Sequence, residues 1–144
     1  MLKELCDKFG ENKYLVFRII VGLVFFGHGL MKFGFLGGKA VTGFNMFMAA
    51  GIIEVIIGPL IVLGLFTRIA SILGAIEMLV AFLVVHANIL GKFGPTPINL
   101  NPLSNGGELA LLFLAIFFAT GALGGKKFSI DASLSKNEAL KKIL

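Results

Sequence analysis

"AAGIIEVIIGPLIVLGLF", residues 49–66, holds a single charged side chain, Glu54, among apolar, glycine and proline positions. Eighteen helical residues rise about 27 Å, close to the ~30 Å hydrocarbon thickness of a bilayer. A water-soluble core rarely accepts a lone carboxylate, and lipid rejects it. The stretch therefore reads as a membrane-crossing helix whose Glu54 faces other helices. It decides the fold class, because backbone groups in lipid must bond within their own segment.

Three further apolar runs flank it, so that helices are expected at about 14–31, 44–66, 69–87 and 107–123. Period-2 alternation, the mark of a barrel, is absent from them. Composition agrees. Hydrophobic residues make up 57% and charged residues 15%, where a soluble domain carries roughly a quarter charged. The expected architecture is an all-α four-helix transmembrane bundle at 14–125. A 1–13 interfacial segment precedes it and a 126–144 tail follows. "MLKELCDKFGENKYLVFRII" mixes acidic and basic residues and is not read as a signal peptide. Cys6 is the one cysteine, so no intramolecular disulfide or CxxC redox pair is available.

The gaps orient the chain. With four spans, the N-terminus, the Thr67–Arg68 turn and the C-terminus share one side. That side carries Lys3, Lys8, Lys13, Arg18, Arg68, Lys126, Lys127, Lys136, Lys141 and Lys142. The other side carries Lys32, Lys39 and Lys92. The positive-inside rule then places both termini in the cytoplasm, in a multi-pass cytoplasmic (inner) membrane protein. The formal charge of +5 lies at the ends and in short gaps, which suits anionic headgroups and not nucleic acid. Leu2, Leu5 and Phe9, like Leu140, Ile143 and Leu144, recur at helical spacing and suit the headgroup plane. The long connection with Pro95, Pro97 and Pro102 is expected to cap the outer mouth by burying Ile98, Leu100 and Leu103.

Ionisable residues inside membrane segments usually face the bundle interior. At ~1.5 Å per residue, Glu54 lies about 18 Å from the cytoplasmic boundary, Glu77 about 14 Å and His28 about 20 Å. Gly51 and Gly58 flank Glu54 on one helical face, and Gly74 and Ala81 flank Glu77, allowing close helix approach. The candidate polar intramembrane site is therefore His28, Glu54 and Glu77, with Arg18 reaching up as counter-charge. Lys32, His86 and Glu108 fall near the outer boundary as further candidates. Nine residues from Glu77, His86 is expected on the opposite face. No metal site is expected, and the catalytic residues are unknown.

Arg18 followed by "GLVFFGHGLMKF", then "EVIIGPLIVLGLFTR" (Glu54 to Arg68), "GGELALLFLA" (Gly106 to Ala115) and "GGKKFSIDA" (Gly124 to Ala132) occur in that order. In these pieces the chain resembles the DoxX family of small four-helix membrane proteins. That family is similar to the DoxD-type subunit of thiosulfate:quinone oxidoreductase. The motif residues fall on Arg18, Gly29, Lys32, Glu54, Gly58, Gly64, Arg68, Gly107 and Glu108. The resemblance implies a prokaryotic cytoplasmic-membrane protein, some relatives being assigned to quinone-linked redox chemistry. It gives location and not mechanism.

Three functions stay open from sequence. The first is a membrane subunit of quinone-linked or respiratory redox chemistry. No redox centre or nucleotide fingerprint is visible in the chain, so electrons would come through a partner subunit. The second is a carrier for a small or lipid-like molecule. The third is a non-catalytic assembly partner. Membrane lipids are the expected surroundings, a second copy is an open partner, and quinone is the ligand to test. The topology makes a direct prediction: a cysteine placed at Asn99 is labelled from outside intact cells, whereas one at Ser135 is not. The reverse labelling pattern would invert the orientation.

Overall fold

The computed structural model describes residues 2–93 and 97–135, with only the backbone for 2–9 and 11. The expected headgroup contacts of Leu2, Leu5, Phe9, Leu140, Ile143 and Leu144 lie outside the described side chains, as does Pro95. Among the described residues the regular structure is entirely helical. The elements are α1 (Leu2–Lys32), α2 (Met46–Leu63), α3 (Thr67–Val80), α4 (Pro102–Asn105), α5 (Glu108–Leu123) and α6 (Ile130–Leu134). A π-helical segment, Ala81–His86, continues α3.

Three stretches are long and apolar enough to cross a membrane: Asn12–Lys32, Met46–Leu63 and Thr67–His86. The apolar α5 is shorter, at 16 residues. α1 runs without a break from Leu2 to Lys32, and its span-length apolar part begins at Asn12.

The bundle is built from two helix pairs, α1 against α2 and α3 against α5, with a sparser α2–α3 contact joining them. Glycine sets the first pair's closeness. A Cβ on Gly22 would stand 2.6 Å from the Gly58 carbonyl oxygen, and one on Gly58 2.7 Å from that of Gly22. The backbones therefore touch where side chains would otherwise separate them. Between the pairs, Phe25 meets Phe117 edge-on at 4.8 Å and Phe113 at 5.3 Å. These rings are almost wholly buried.

The hairpin joining α2 to α3 lies three residues earlier than the hydropathy pattern suggests. Gly64 ends α2 in the left-handed conformation, at φ +65°, which glycine adopts without strain. Leu65 and Phe66 are apolar but belong to the turn, and Thr67 and Arg68 open α3. Phe66, at the N-cap, offers no capping side chain. The cap comes from Asp131 of α6 instead. Its carboxylate accepts from the Phe66 N–H at 2.7 Å, the Thr67 N–H at 2.9 Å and the Thr67 hydroxyl at 2.6 Å. The Asp131 N–H donates to the Gly64 carbonyl at 2.9 Å, closing the exchange.

Arg18 completes this knot. It is 1% exposed, and its guanidinium donates to the Gly125 and Phe128 carbonyls. The Tyr14 hydroxyl donates to the Gly124 carbonyl at 2.7 Å. The polar tail segment after α5 is thus folded back under the bundle by groups on α1, α2 and α3. The loop before α4 behaves differently from expectation. Ile98, Leu100 and Leu103 are 63%, 61% and 77% exposed. Asparagines order the loop by hydrogen bonding, for example Asn105 to the Asn99 carbonyl at 2.8 Å, so no apolar burial is needed.

The cap predicts a graded loss. Asp131→Ala removes all three acceptor contacts and is expected to lower stability by about 2 kcal/mol. Asp131→Asn, which keeps one acceptor oxygen, loses less. Unfolding titrations in detergent micelles check this, and equal stability of Asp131→Ala and the parent would remove the cap from the account.

Candidate ligand cavity

A cavity of about 710 Å³ lies where all four long helices meet. Its walls are mostly apolar, with Phe25, Phe47 and Phe113 among them. The polar groups that line it are His28 and Lys32 from α1, Glu54 from α2, Glu77 from α3 and His86 from the π-helical segment. On one flank, Ile53 of α2 and Leu73, Ile76 and Val80 of α3 line the same space while remaining 38–55% exposed. The cavity is therefore bordered by side chains that also face outward between α2 and α3.

Glu54 is 3% exposed and forms an ion pair with Lys32. The sequence placed Lys32 at the outer boundary, away from Glu54, because that depth was counted at the Cα. A helical side chain leans toward its own N-terminus. The Lys32 stem lies beside Gly51, where a Cβ would come within 3.1 Å of it. Gly51, one turn before Glu54, makes the room for this reach. Arg18, the expected counter-charge, is not part of the cavity. Its guanidinium turns toward the tail carbonyls, where several acceptors converge.

Glu77 has no such partner. Both carboxyl oxygens are buried, and among the described residues neither accepts or donates a hydrogen bond. An unpaired carboxyl group away from water is costly, which makes it an unusual fixture for a purely structural helix. Glu54 and Lys32 both lie close enough to act on Glu77 electrostatically. His28 packs edge-on against Phe113 at 6.0 Å.

His86 departs from its expected face. The π-helical turn carries Ala87 N–H to the Phe82 carbonyl at 2.8 Å, an i to i−5 bond. Each residue in that wider turn advances less around the axis than in an α-helix, so His86 swings round to the cavity side. Its Nδ1 lies 3.3 Å from the Asn105 carbonyl. Since a carbonyl only accepts, this contact makes Nδ1 the donor and leaves Nε2 of the neutral ring as an acceptor. Short π segments recur at functional sites. Glu108 is exposed in the first turn of α5, where the helix dipole favours it, and does not line the cavity. Sequence reasoning did not find Phe25, Phe113 or Asn105. The only signal for the two rings was their place on apolar helical faces, which they share with many other residues.

The Lys32–Glu54 pair yields a measurable coupling. Lys32→Met leaves the Glu54 carboxylate without its partner and is expected to cost about 3 kcal/mol of stability. Adding Glu54→Leu is expected to restore much of the loss, and Glu54→Gln is tolerated better than Glu54→Leu alone. A double-mutant cycle by detergent unfolding reads the pair energy; strictly additive losses would show that the two do not interact.

Phe25, His28, Lys32, Glu54 and Phe113 of the cavity, and the tail knot, fall on the pieces that carry the resemblance, whereas Glu77 and His86 do not. The DoxX family model matches residues 14–87. An uncharacterised protein of Haemophilus influenzae is 37% identical over 124 residues, 83% of this chain and 88% of that protein. A Bacillus subtilis protein bearing the name "Putative oxidoreductase CatD" is 37% identical over 86 residues, 55% of this chain and 63% of its own length. An uncharacterised membrane protein of Mycobacterium tuberculosis is 30% identical over 96 residues, 59% of this chain and 58% of its own length. The chain thus spans less than two thirds of the latter two relatives. No solved structure matches. With the family model covering just over half of its 144 residues and the Haemophilus protein aligned along most of its length, this membrane protein belongs to the DoxX family.

Proposed function

We propose that this chain is the membrane subunit of a quinone-linked redox system, and that its cavity holds the quinone headgroup. In this reading four helices span the cytoplasmic membrane, both termini face the cytoplasm, and a separate redox subunit supplies electrons. The observation that carries the reading is the buried Glu77 carboxyl group, without a hydrogen-bond partner among the described residues, beside a mostly apolar cavity whose flank is exposed between α2 and α3.

The chemistry fits the residues present. A quinone ring is flat and apolar on its faces, and Phe25, Phe47 and Phe113 offer matching surfaces. Its two carbonyl oxygens need donors, and Lys32 and His28 supply N–H groups. The reduced form carries hydroxyls that need acceptors, a role open to Glu77 and to His86 Nε2. An isoprenoid tail would leave between α2 and α3 without crossing a polar barrier. The oxidoreductase name of the Bacillus relative supports a redox connection for that protein, and the same connection is proposed here.

Binding of short-tailed ubiquinone and menaquinone analogues to the purified chain tests this directly. Saturable binding is expected, with about a tenfold loss on Glu77→Leu and a smaller one on His28→Leu, circular dichroism remaining helical. Binding that is unsaturable, or that is equal in parent and variants, would remove quinone from the cavity. Uptake of an analogue into proteoliposomes lacking any electron donor would favour a carrier instead.

A further inference from the structure

A second groove, of about 430 Å³, runs between α3 and α5 and shares only Ile76 with the polar cavity. We propose that it is a binding site for one anionic phospholipid, with the headgroup phosphate at Arg68 and an acyl chain laid along α3 and α5.

Small residues make the groove. Ala75 and Gly121 line it, with Phe117 beside them, and the more exposed Ile72, Leu79 and Phe118 line it as well. From Arg68 to Leu79 the groove follows eleven helical steps, about 16 Å along α3. That is a large part of one leaflet's hydrocarbon depth. It lies within the membrane-crossing stretch Thr67–His86, so its occupant has to be apolar along this length.

The end nearest the turn has different chemistry. Arg68 is exposed, and among the described residues its guanidinium makes no hydrogen bond or ion pair. It extends across Gly124, where a Cβ would stand 3.3 Å from its Nε, so the missing side chain holds open the guanidinium's place at the end of α5. Neither "GLFTRIASI" (64–72) nor "TGALGGKKFSI" (120–130) contains an acidic residue. The nearby Asp131 carboxylate is already committed to Phe66 and Thr67. A free cation at the mouth of an apolar groove is therefore matched by an anion that carries a hydrocarbon chain. Basic pockets between membrane helices recognise anionic headgroups in this way.

Ser71 adds an independent observation. It lies three residues beyond Arg68, about 4.5 Å deeper. Its hydroxyl is buried beside the groove and, among the described residues, has no hydrogen-bond partner. The glycerol ester carbonyls of a phospholipid follow the phosphate at about this depth, and a χ1 turn of Ser71 toward the groove would bring its hydroxyl to one of them.

The full-length chain, purified in mild detergent, is titrated with phosphatidylglycerol or phosphatidylcholine of identical acyl chains and read by native mass spectrometry. Phosphatidylglycerol is expected to be retained more strongly. Arg68→Gln lowers its retention about fivefold, whereas Arg68→Lys keeps most of it. Ala122→Phe, on the exposed part of the groove, leaves the charge in place but fills the chain's path, and is expected to abolish retention. Equal retention of the two lipids by the parent overturns the proposal, as does unchanged phosphatidylglycerol retention in either Arg68→Gln or Ala122→Phe. Quinone binding in the other cavity is unaffected by either variant, so the two sites are read separately.

Discussion

Asp131 binds three donors at the start of α3 while its own N–H holds the last carbonyl of the α2 turn. A three-residue connection between two apolar helices leaves backbone groups exposed at both helix ends. Near a bilayer surface they need partners that the turn itself does not contain. The tail provides them and is in turn held by Arg18 and Tyr14. The closed end of the hairpin is thereby tied to both α1 and the tail.

The two ends of the bundle handle charge by different means. At the tail end, the terminal nitrogens of Arg18 donate to backbone carbonyls, while its buried Nε finds no acceptor among the described residues. At the cavity, Lys32 and Glu54 neutralise one another, and Glu77 is left with a neighbouring charge but no hydrogen bond among the described residues. Backbone acceptors hold the charge at the tail end, and side-chain pairing holds it at the cavity.

Much of this was legible in the sequence. Run lengths marked the helices, and the small residues beside Glu54 and Glu77 lie on the same helices as the two carboxylates that line the cavity. The misreadings have definite causes. Leu65 and Phe66 are apolar and looked helical, because hydropathy does not register a glycine at positive φ. Arg18 was assigned to a carboxylate because its true acceptors are carbonyls, which every residue possesses and no sequence pattern marks. Lys32 was separated from Glu54 because depth was measured at the Cα and not at the ammonium. His86 was turned away because a constant 100° step hides a π turn. In each case the deciding quantity was local backbone geometry or side-chain reach.

The location of the Lys32–Glu54 pair also orders the protein's biogenesis. Both partners belong to the first helical hairpin, so their charges can cancel once α1 and α2 have emerged from the ribosome and paired. Glu54 then enters lipid as half of a neutral unit. Arg18 has to wait, because Gly125 and Phe128 are synthesised after every long helix. Until then its guanidinium can remain among headgroups, one turn from the membrane surface. The ion pair of Glu54 thus lies within the first hairpin, while the carbonyls that Arg18 uses come only with the tail segment after α5.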